Sequence, residues 1–263
     1  MNDYIRQTDK IFFKHEISSG LSCDTYNMHT HNNYELIYFV GGNATHVIED
    51  RKYKLRRGDL ILIRPFRYHF IQIDAPEDYE RYDILFDPER HGISGLSLIP
   101  DGVEIINIAG NGIAEDIFRR CDTYRRSCAA DDFAHLLPHL LSELFYNVSL
   151  FSLSPAEEAV SVSPLISEAL RYINENLNSI GGTREIAEHL FISESYLFRL
   201  FRKELHQTPK KYIMDKRLLT AQKRLASGAS PTSVCESCGF ADYTTFYRNY
   251  TSFFGHAPSK EKQ

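Results

Sequence analysis

Residues 183–212, TREIAEHLFISESYLFRLFRKELHQTPKKY, and residues 231–260, PTSVCESCGFADYTTFYRNYTSFFGHAPSK, carry one pattern twice. Each has apolar residues at helical spacing, a short polar break, and a second run at the same spacing. Arg199 and Arg248 lie 49 positions apart, as do Pro209 and Pro258. Ile186, Ala187 and Leu190 in the first short helix match Val234, Cys235 and Cys238 in the second. The small Ala187 or Cys235 lets a neighbouring helix approach closely. Ser193 and Asp242 stand where the longer helices begin, each with an oxygen able to accept from an orphan backbone N–H. Leu197, Leu200 and Phe201, then Phe246, Tyr250 and Phe253, form the inner faces. The spacing predicts two helix-turn-helix units.

Between them, KKYIMDKRLLTAQKRLAS (210–227) is a strong helix former. At 1.5 Å per residue it spans roughly 27 Å. Such a helix could hold two second helices about one turn of DNA apart, where successive major-groove faces are roughly 34 Å apart. Charge agrees. Residues 1–160 hold 16 Lys and Arg against 25 Asp and Glu, whereas residues 161–263 hold 14 against 10. The net −5 thus conceals a basic back half suited to a polyanion.

The front half has another period. YELIYFV, ATHVIED, YKLRRGDLILI and YHFIQI are short runs rich in Ile, Val, Tyr and Phe, separated by turn residues, and predict a small sandwich or barrel. From Gly112 the apolar spacing becomes helical, giving a pair of helices at about 113–150. The Ser- and Pro-containing stretch 152–163 reads as a linker. The five cysteines, Cys23, Cys121, Cys128, Cys235 and Cys238, are odd in number and irregularly spaced, which argues against a disulfide framework. Cys235 and Cys238 lack a second ligand pair and occupy core positions of the repeat, so packing is expected of them rather than zinc binding. The N-terminus lacks signal-peptide order, and no apolar run reaches spanning length. A cytoplasmic protein is expected, with no membrane association.

Residues 164–263 resemble the DNA-binding domain of the AraC/XylS family of bacterial transcription regulators, through IAEHLFISESYLFRLFRKE, the linker helix and GFADYTTFYRNYTSFFGHAP. The front half resembles that family's cupin-like sensor domain, with HTHNNYELIYFVGG, RRGDLILIRPFRYH and YDILFDP in order. The resemblance implies an α+β protein of two domains. Residues 1–151 would be a cupin-like β-barrel with a helical dimerisation pair, and residues 164–263 an all-α domain carrying both helix-turn-helix units. It implies a homodimer, a double-stranded DNA operator, a small-molecule effector (a carbohydrate by preference) and RNA polymerase as a candidate partner. No cofactor and no catalysis are expected. The competing readings are a metal-dependent cupin enzyme fused to a DNA-binding domain, and a constitutive regulator whose barrel binds nothing.

Helical periodicity puts Ser195, Tyr196, Phe198, Arg199 and Arg202 on the outer face of one second helix. Tyr243, Thr244, Tyr247 and Arg248 occupy that face of the other. By resemblance, base contacts fall on Ser195, Phe198, Arg199, Tyr243, Thr244, Tyr247 and Arg248. Arg can bond guanine O6 and N7 together, and aromatic or Thr methyl groups can touch the thymine methyl. Arg202, Lys203, Lys216 and Arg217 are assigned to phosphates, which set position without specifying sequence. Three positions depart from the family pattern: His206 where a helix-ending glycine is usual, Cys235 for a smaller residue, and Glu261 where the first unit has the aromatic Tyr212.

In the front half, His29, His31 and Glu35 form a His-x-His-x3-Glu string that one face of a strand could present together. Imidazole plus carboxylate is a common transition-metal set, and His69 could complete it. Gly20 lies too far upstream for the cupin enzyme pattern, and Ile73 stands where that pattern prefers Asn. The sequence therefore favours an effector site of His29, His31, Glu35, His69 and Tyr38, with no metal. Without Trp, Tyr38, Tyr53 and Tyr82 are the rings left to stack on a sugar.

Overall fold

A computed structural model of the chain describes residues 11–19, 28–151 and 160–262. They fall into two compact units, one ending at Val160 and the other beginning at Ser161. Gly20, Cys23 and most of the expected linker lie outside the described residues.

The first unit holds β1 (Phe12–Ser18), β2 (Tyr34–Gly41), β3 (Ala44–Ile48), β4 (Arg51–Lys54), β5 (Asp59–Ile63), β6 (His69–Ile73), β7 (Tyr79–Phe86) and β8 (Ile105–Asn107). It also holds the short α1 (Pro88–His91), then α2 (Gly112–Ser127) and α3 (Ala130–Phe151). The expected barrel is built as two sheets packed face to face. One has the antiparallel order β1-β7-β2-β5-β8; in the other, β3 lies between β6 and β4.

Side chains alternate across the first sheet, so its two faces build two cores. Ile37, Phe39, Ile61, Ile63 and Tyr79 meet Ala44, Ile48, Ile71 and Ile73 of the second sheet. Leu36, Tyr38, Leu60, Leu62, Tyr82, Ile84 and Phe86 point the other way, onto Ile117, Phe118, Leu137, Leu141, Leu144, Phe145 and Val148 of α2 and α3. Each such side chain contributes about 1.5–3 kcal/mol through burial. Helix α3 continues through Pro138, and the Ser142 hydroxyl donates to the Pro138 carbonyl at 2.8 Å. The outward side of its last turns leaves Leu150 and Phe151 more than 70 % exposed.

The second unit is all helix: α4 (Pro164–Glu175), α5 (Thr183–His189), α6 (Glu194–Leu205), α7 (Pro209–Ala226), α8 (Pro231–Ser237) and α9 (Tyr243–Phe254). The repeat is realised as α5–α6 and α8–α9. Ser193 Oγ accepts from the Tyr196 N–H at 3.2 Å, and Asp242 Oδ1 from the Thr245 N–H at 2.7 Å. The inner faces are as expected except at the end of α9, where Phe254 is buried and Phe253 only partly so. Cys235 and Cys238 are buried, unpaired core residues.

The departures from the family pattern acquire physical accounts. His206 ends α6 in the left-handed conformation, φ +52°, the role that Gly255 fills at φ +76° for α9. Glu261 replaces the absent aromatic with polar contacts, accepting from Gln222 Nε2 at 3.0 Å and pairing with His256 Nε2 at 3.1 Å. Burial and the Glu261 carboxylate push the Tyr250 hydroxyl pKa up. The phosphate role expected of Arg217 is corrected: Nε donates to Leu177 O at 2.9 Å and Nη2 to Ile180 O at 2.7 Å, so its guanidinium ties α7 to the α4–α5 loop.

The two turns differ in a telling way. Phe191 and Gly239 both follow the first helix of their unit with positive φ, +55° and +75°. Phe191 is 96 % exposed, whereas a Cβ on Gly239 would stand 2.4 Å from Asn178 O and 3.0 Å from the Arg217 guanidinium. Glycine is required at 239 both by space and by backbone conformation. Gly239→Ala is expected to lower the unfolding free energy by more than about 2 kcal/mol in urea titrations, combining left-handed strain with overpacking.

Candidate functional site

Helices α6 and α9 present their expected outer faces. Ser195, Tyr196, Arg199, Arg202 and Lys203 are exposed on α6, as are Tyr243, Thr244, Tyr247 and Arg248 on α9; Phe198 is half-buried. Phe198, Arg199, Arg202 and Lys203 line one shallow depression of about 450 Å³. Arg199 lies over the Tyr196 ring, 5.3 Å from its centroid. Among the described residues, Arg199, Arg202 and Lys203 form no ion pair, and Arg248 lies near enough to Asp242 to help lower its pKa, while Arg171, Arg184 and Lys211 of the same unit are paired with Glu168, Glu188 and Asp215. Three cations on α6 are thus left for an external anion, with Arg248 exposed on α9.

In the first unit the structure brings His29, His31, Glu35 and His69 together, all four ligand atoms lying within 4.8 Å of one another. A single strand face does not do this. Strand β2 begins at Tyr34, and His29 reaches the group by a separate bridge to His69, with both N–H···O bonds at 3.0 Å. His31 Nε2 lies 3.0 Å and His69 Nε2 2.8 Å from the same Glu35 oxygen, Oε2. Their other ring nitrogens face backbone carbonyls, His31 Nδ1 at 2.8 Å from Asn33 O and His69 Nδ1 at 3.0 Å from Arg67 O. Tyr38 does not join them. An odd number of positions from Glu35, it points to the opposite face of β2 and stacks on Phe118 at 4.2 Å. Tyr82 lies on that same helix side, its hydroxyl donating to Asp122 Oδ2 at 2.7 Å.

Two family models cover the chain: an AraC-like ligand binding domain over residues 17–173 and a helix-turn-helix domain over residues 186–263. The chain belongs to the AraC family. It is 25% identical over 269 residues to the HTH-type transcriptional activator RhaR of Enterobacter sp. (strain 638), covering 97% of this chain and 94% of that one. It is 30% identical over 128 residues to the raffinose operon transcriptional regulatory protein RafR of Pediococcus pentosaceus, covering 47% and 46%. With the Msm operon regulatory protein of Streptococcus mutans the identity is 31% over 112 residues, covering 42% and 40%. The chain therefore spans less than half the length of two of these relatives. These relatives and both domain models are those of transcription regulators rather than enzymes. This AraC-family chain carries an AraC-like ligand binding domain and a helix-turn-helix domain, and none of its described helices is long and apolar enough to cross a membrane.

Around the histidine cluster of this AraC-family sensor lie polar groups that sequence reading missed. His46 shares the inward face of β3 with Ala44 and Ile48, is 0% exposed, and neither ring nitrogen has a hydrogen-bond partner among the described residues. Its ring lies parallel to His69 at 5.9 Å. Burial, reinforced by the His69 charge, pushes its pKa well below the usual range, so it is neutral. Asp83 and Arg81 extend the patch on the inward face of β7, with 3.7 Å between Arg81 Nη2 and Asp83 Oδ2. An apolar alternation interrupted at an inward position is the only signal the sequence offers for His46. A further recess of about 610 Å³ lies elsewhere on the unit, near Tyr34, Arg64 and Tyr146. Its Arg64 is already spent on Val103 O at 2.9 Å and Pro100 O at 2.8 Å.

The buried Glu35 carboxyl and the partly buried Asp83 carboxyl are driven apart. Burial raises Glu35, but the His69 and His31 imidazoles facing it outweigh burial and hold it well below its usual pKa. Burial, then the Glu35 charge beside it, push Asp83 well above its usual pKa, so Asp83 is the neutral member. A raised folded-state pKa means that Asp83's contribution is fully present below its unfolded pKa, about 3.9. It is lost as pH rises through the folded value. Asp83→Asn should therefore match the parent in thermal unfolding near pH 4. It should become more stable than the parent as pH rises to 8, by more than about 1 kcal/mol, since one pKa unit is worth about 1.36 kcal/mol.

Proposed function

We propose that the outer faces of α6 and α9 read base edges in two major-groove segments of one operator. The exposed Arg199 and Arg248 on the outer faces of N-capped helices of the same fold are the observation that carries this reading. Arg199 and Arg248 bond guanine edges. Phe198, Tyr243, Tyr247, Thr244 and Ser195 supply apolar and hydroxyl contacts, and Arg202 and Lys203 meet phosphates. The cluster of His29, His31, Glu35 and His69 is the effector site, because buried polar groups converging inside an apolar wall fit a small polar ligand. A carbohydrate is favoured, in keeping with the raffinose operon regulator among the relatives. Tyr53, on the inward side with its hydroxyl on Glu104 Oε2 at 2.5 Å, is the ring that can serve there. The effector shifts the protein only to the extent that it binds one arrangement of the chain better than another. The exposed Leu150 and Phe151 of α3 support a homodimer through that helix.

Arg199→Ala with Arg248→Ala should leave circular dichroism and melting unchanged while abolishing preference for the operator over random DNA in a binding titration. Each loss should cost about 1–3 kcal/mol of discrimination. Lys203→Ala should weaken both DNAs alike and reduce the slope of log K against log salt by about 1. Retained operator preference in the double variant would sink the assignment of bases to these arginines.

A further inference from the structure

We propose that Tyr196 is a positioning residue for Arg199, its ring holding the guanidinium in place so that the first helix-turn-helix unit discriminates sharply for guanine. This deepens the base reading assigned to α6 and rests on it. Both residues lie on the outer face of that helix, one turn apart, with the guanidinium carbon of Arg199 5.3 Å from the centroid of the Tyr196 ring. A cation within about 6 Å of a ring centroid is attracted by the negative π-face. Tyr196 is 37 % exposed and Arg199 is exposed, so the pair stands where a partner would meet it.

The rest of α6 gives Arg199 no other anchor. Arg202 and Lys203, three and four positions on, are like charges that push against it. The two acids of the helix are engaged elsewhere. Glu194 accepts from the Thr183 hydroxyl, and Glu204 Oε2 from the Ser163 N–H at 2.8 Å. The kind of contact matters here. A carboxylate partner would occupy N–H donors of the guanidinium, and those bonds would have to break before a base edge could take them. A ring attracts the charge and takes none of the five donors. Arg199 is thus held with its whole planar fork still available to guanine O6 and N7. A side chain ordered before binding also loses less rotamer freedom on the DNA.

The second unit lacks this arrangement. In the repeat, Thr245 stands in the place of Tyr196, as Arg248 does in that of Arg199. The Thr245 hydroxyl donates to Asp242 Oδ2 at 2.8 Å and its N–H to Asp242 Oδ1 at 2.7 Å, so both of its polar groups serve the helix cap. Tyr196 gives its N–H to the Ser193 cap, and its ring is left for Arg199.

The test uses the full chain and a library of random-sequence DNA duplexes, with bound molecules sequenced to give the base preference at each position. Arg199→Ala identifies the position that Arg199 reads as the guanine preference it loses. Tyr196→Leu should lower guanine preference at that position by about two- to fivefold, the range that an exposed cation–π contact supports, and leave the other positions as in the parent. Tyr196→Phe keeps a ring and should keep the preference. In an Arg199→Ala background, Tyr196→Leu should change nothing further at that position. An unchanged guanine preference in Tyr196→Leu overturns the proposal. So does a loss spread evenly over all positions, which marks a role in the helix itself, or an equal loss in Tyr196→Phe, which marks a hydroxyl contact with a phosphate. If the parent enriches no motif, or Arg199→Ala loses no guanine position, base reading by α6 falls and this inference falls with it.

Discussion

Everything that the second unit does depends on α7 being one unbroken helix shared by both halves of the repeat. Tyr212, near its start, packs against Phe201 of α6 with ring centroids 6.2 Å apart. Gln222, near its end, holds Glu261 at the close of the second half. A helix cannot bend cheaply between such anchors, so the separation of α6 and α9 is set by backbone hydrogen bonds and not by a loop. Arg217 locks the middle through the carbonyls of Leu177 and Ile180. That guanidinium is partly desolvated, and burial lowers its pKa. The hydrogen bonds to two backbone carbonyls offset that cost.

The first unit answers to a different constraint. Its front sheet buries both faces, one under α2 and α3 and one under the second sheet, so most apolar side chains on β2 and β7 join one core or the other. Polar residues that fall on the inward face have nowhere to go but toward each other. Glu35, Asp83, Arg81, His46 and His69 are gathered by this geometry, and the opposed pKa shifts of Glu35 and Asp83 follow from two carboxyls sharing a dry space. The result is a pre-formed polar interior whose donors point inward before anything binds.

How much of this is legible in the sequence depends on the range of the signal. The duplicated helix-turn-helix is plain, because caps, small residues and inward apolar positions recur locally. The strands from β2 to β7 are readable from short β-branched and aromatic runs between turn residues. The grouping of His29, His31, Glu35 and His69 is legible as residue types, although the backbone breaks before Tyr34 and a bridge, not a strand face, brings His29 in. Tyr38 is misplaced by a reading that parity alone contradicts, since positions 35 and 38 cannot share a strand face. His46, Arg81 and Asp83 stay hidden because their inward position follows from the pairings of Ile37 with Asp83 and His46 with Ile71. Arg217 is hidden for a related reason. Helical periodicity exposes it, and only the fold supplies carbonyls about 40 residues earlier in the chain.

The unequal turns of the repeat bear on how such a protein can change over generations. At Gly239 the chain is hemmed in by Asn178 and Arg217, so drift there is closed and the second half is anchored to the body of its unit. At Phe191 the same backbone shape is held in the open, with the side chain almost wholly in solvent. Mutations can accumulate at Phe191 itself without disturbing the core. The two turns of the repeat thus have unequal evolutionary freedom, tight at Gly239 and loose at Phe191.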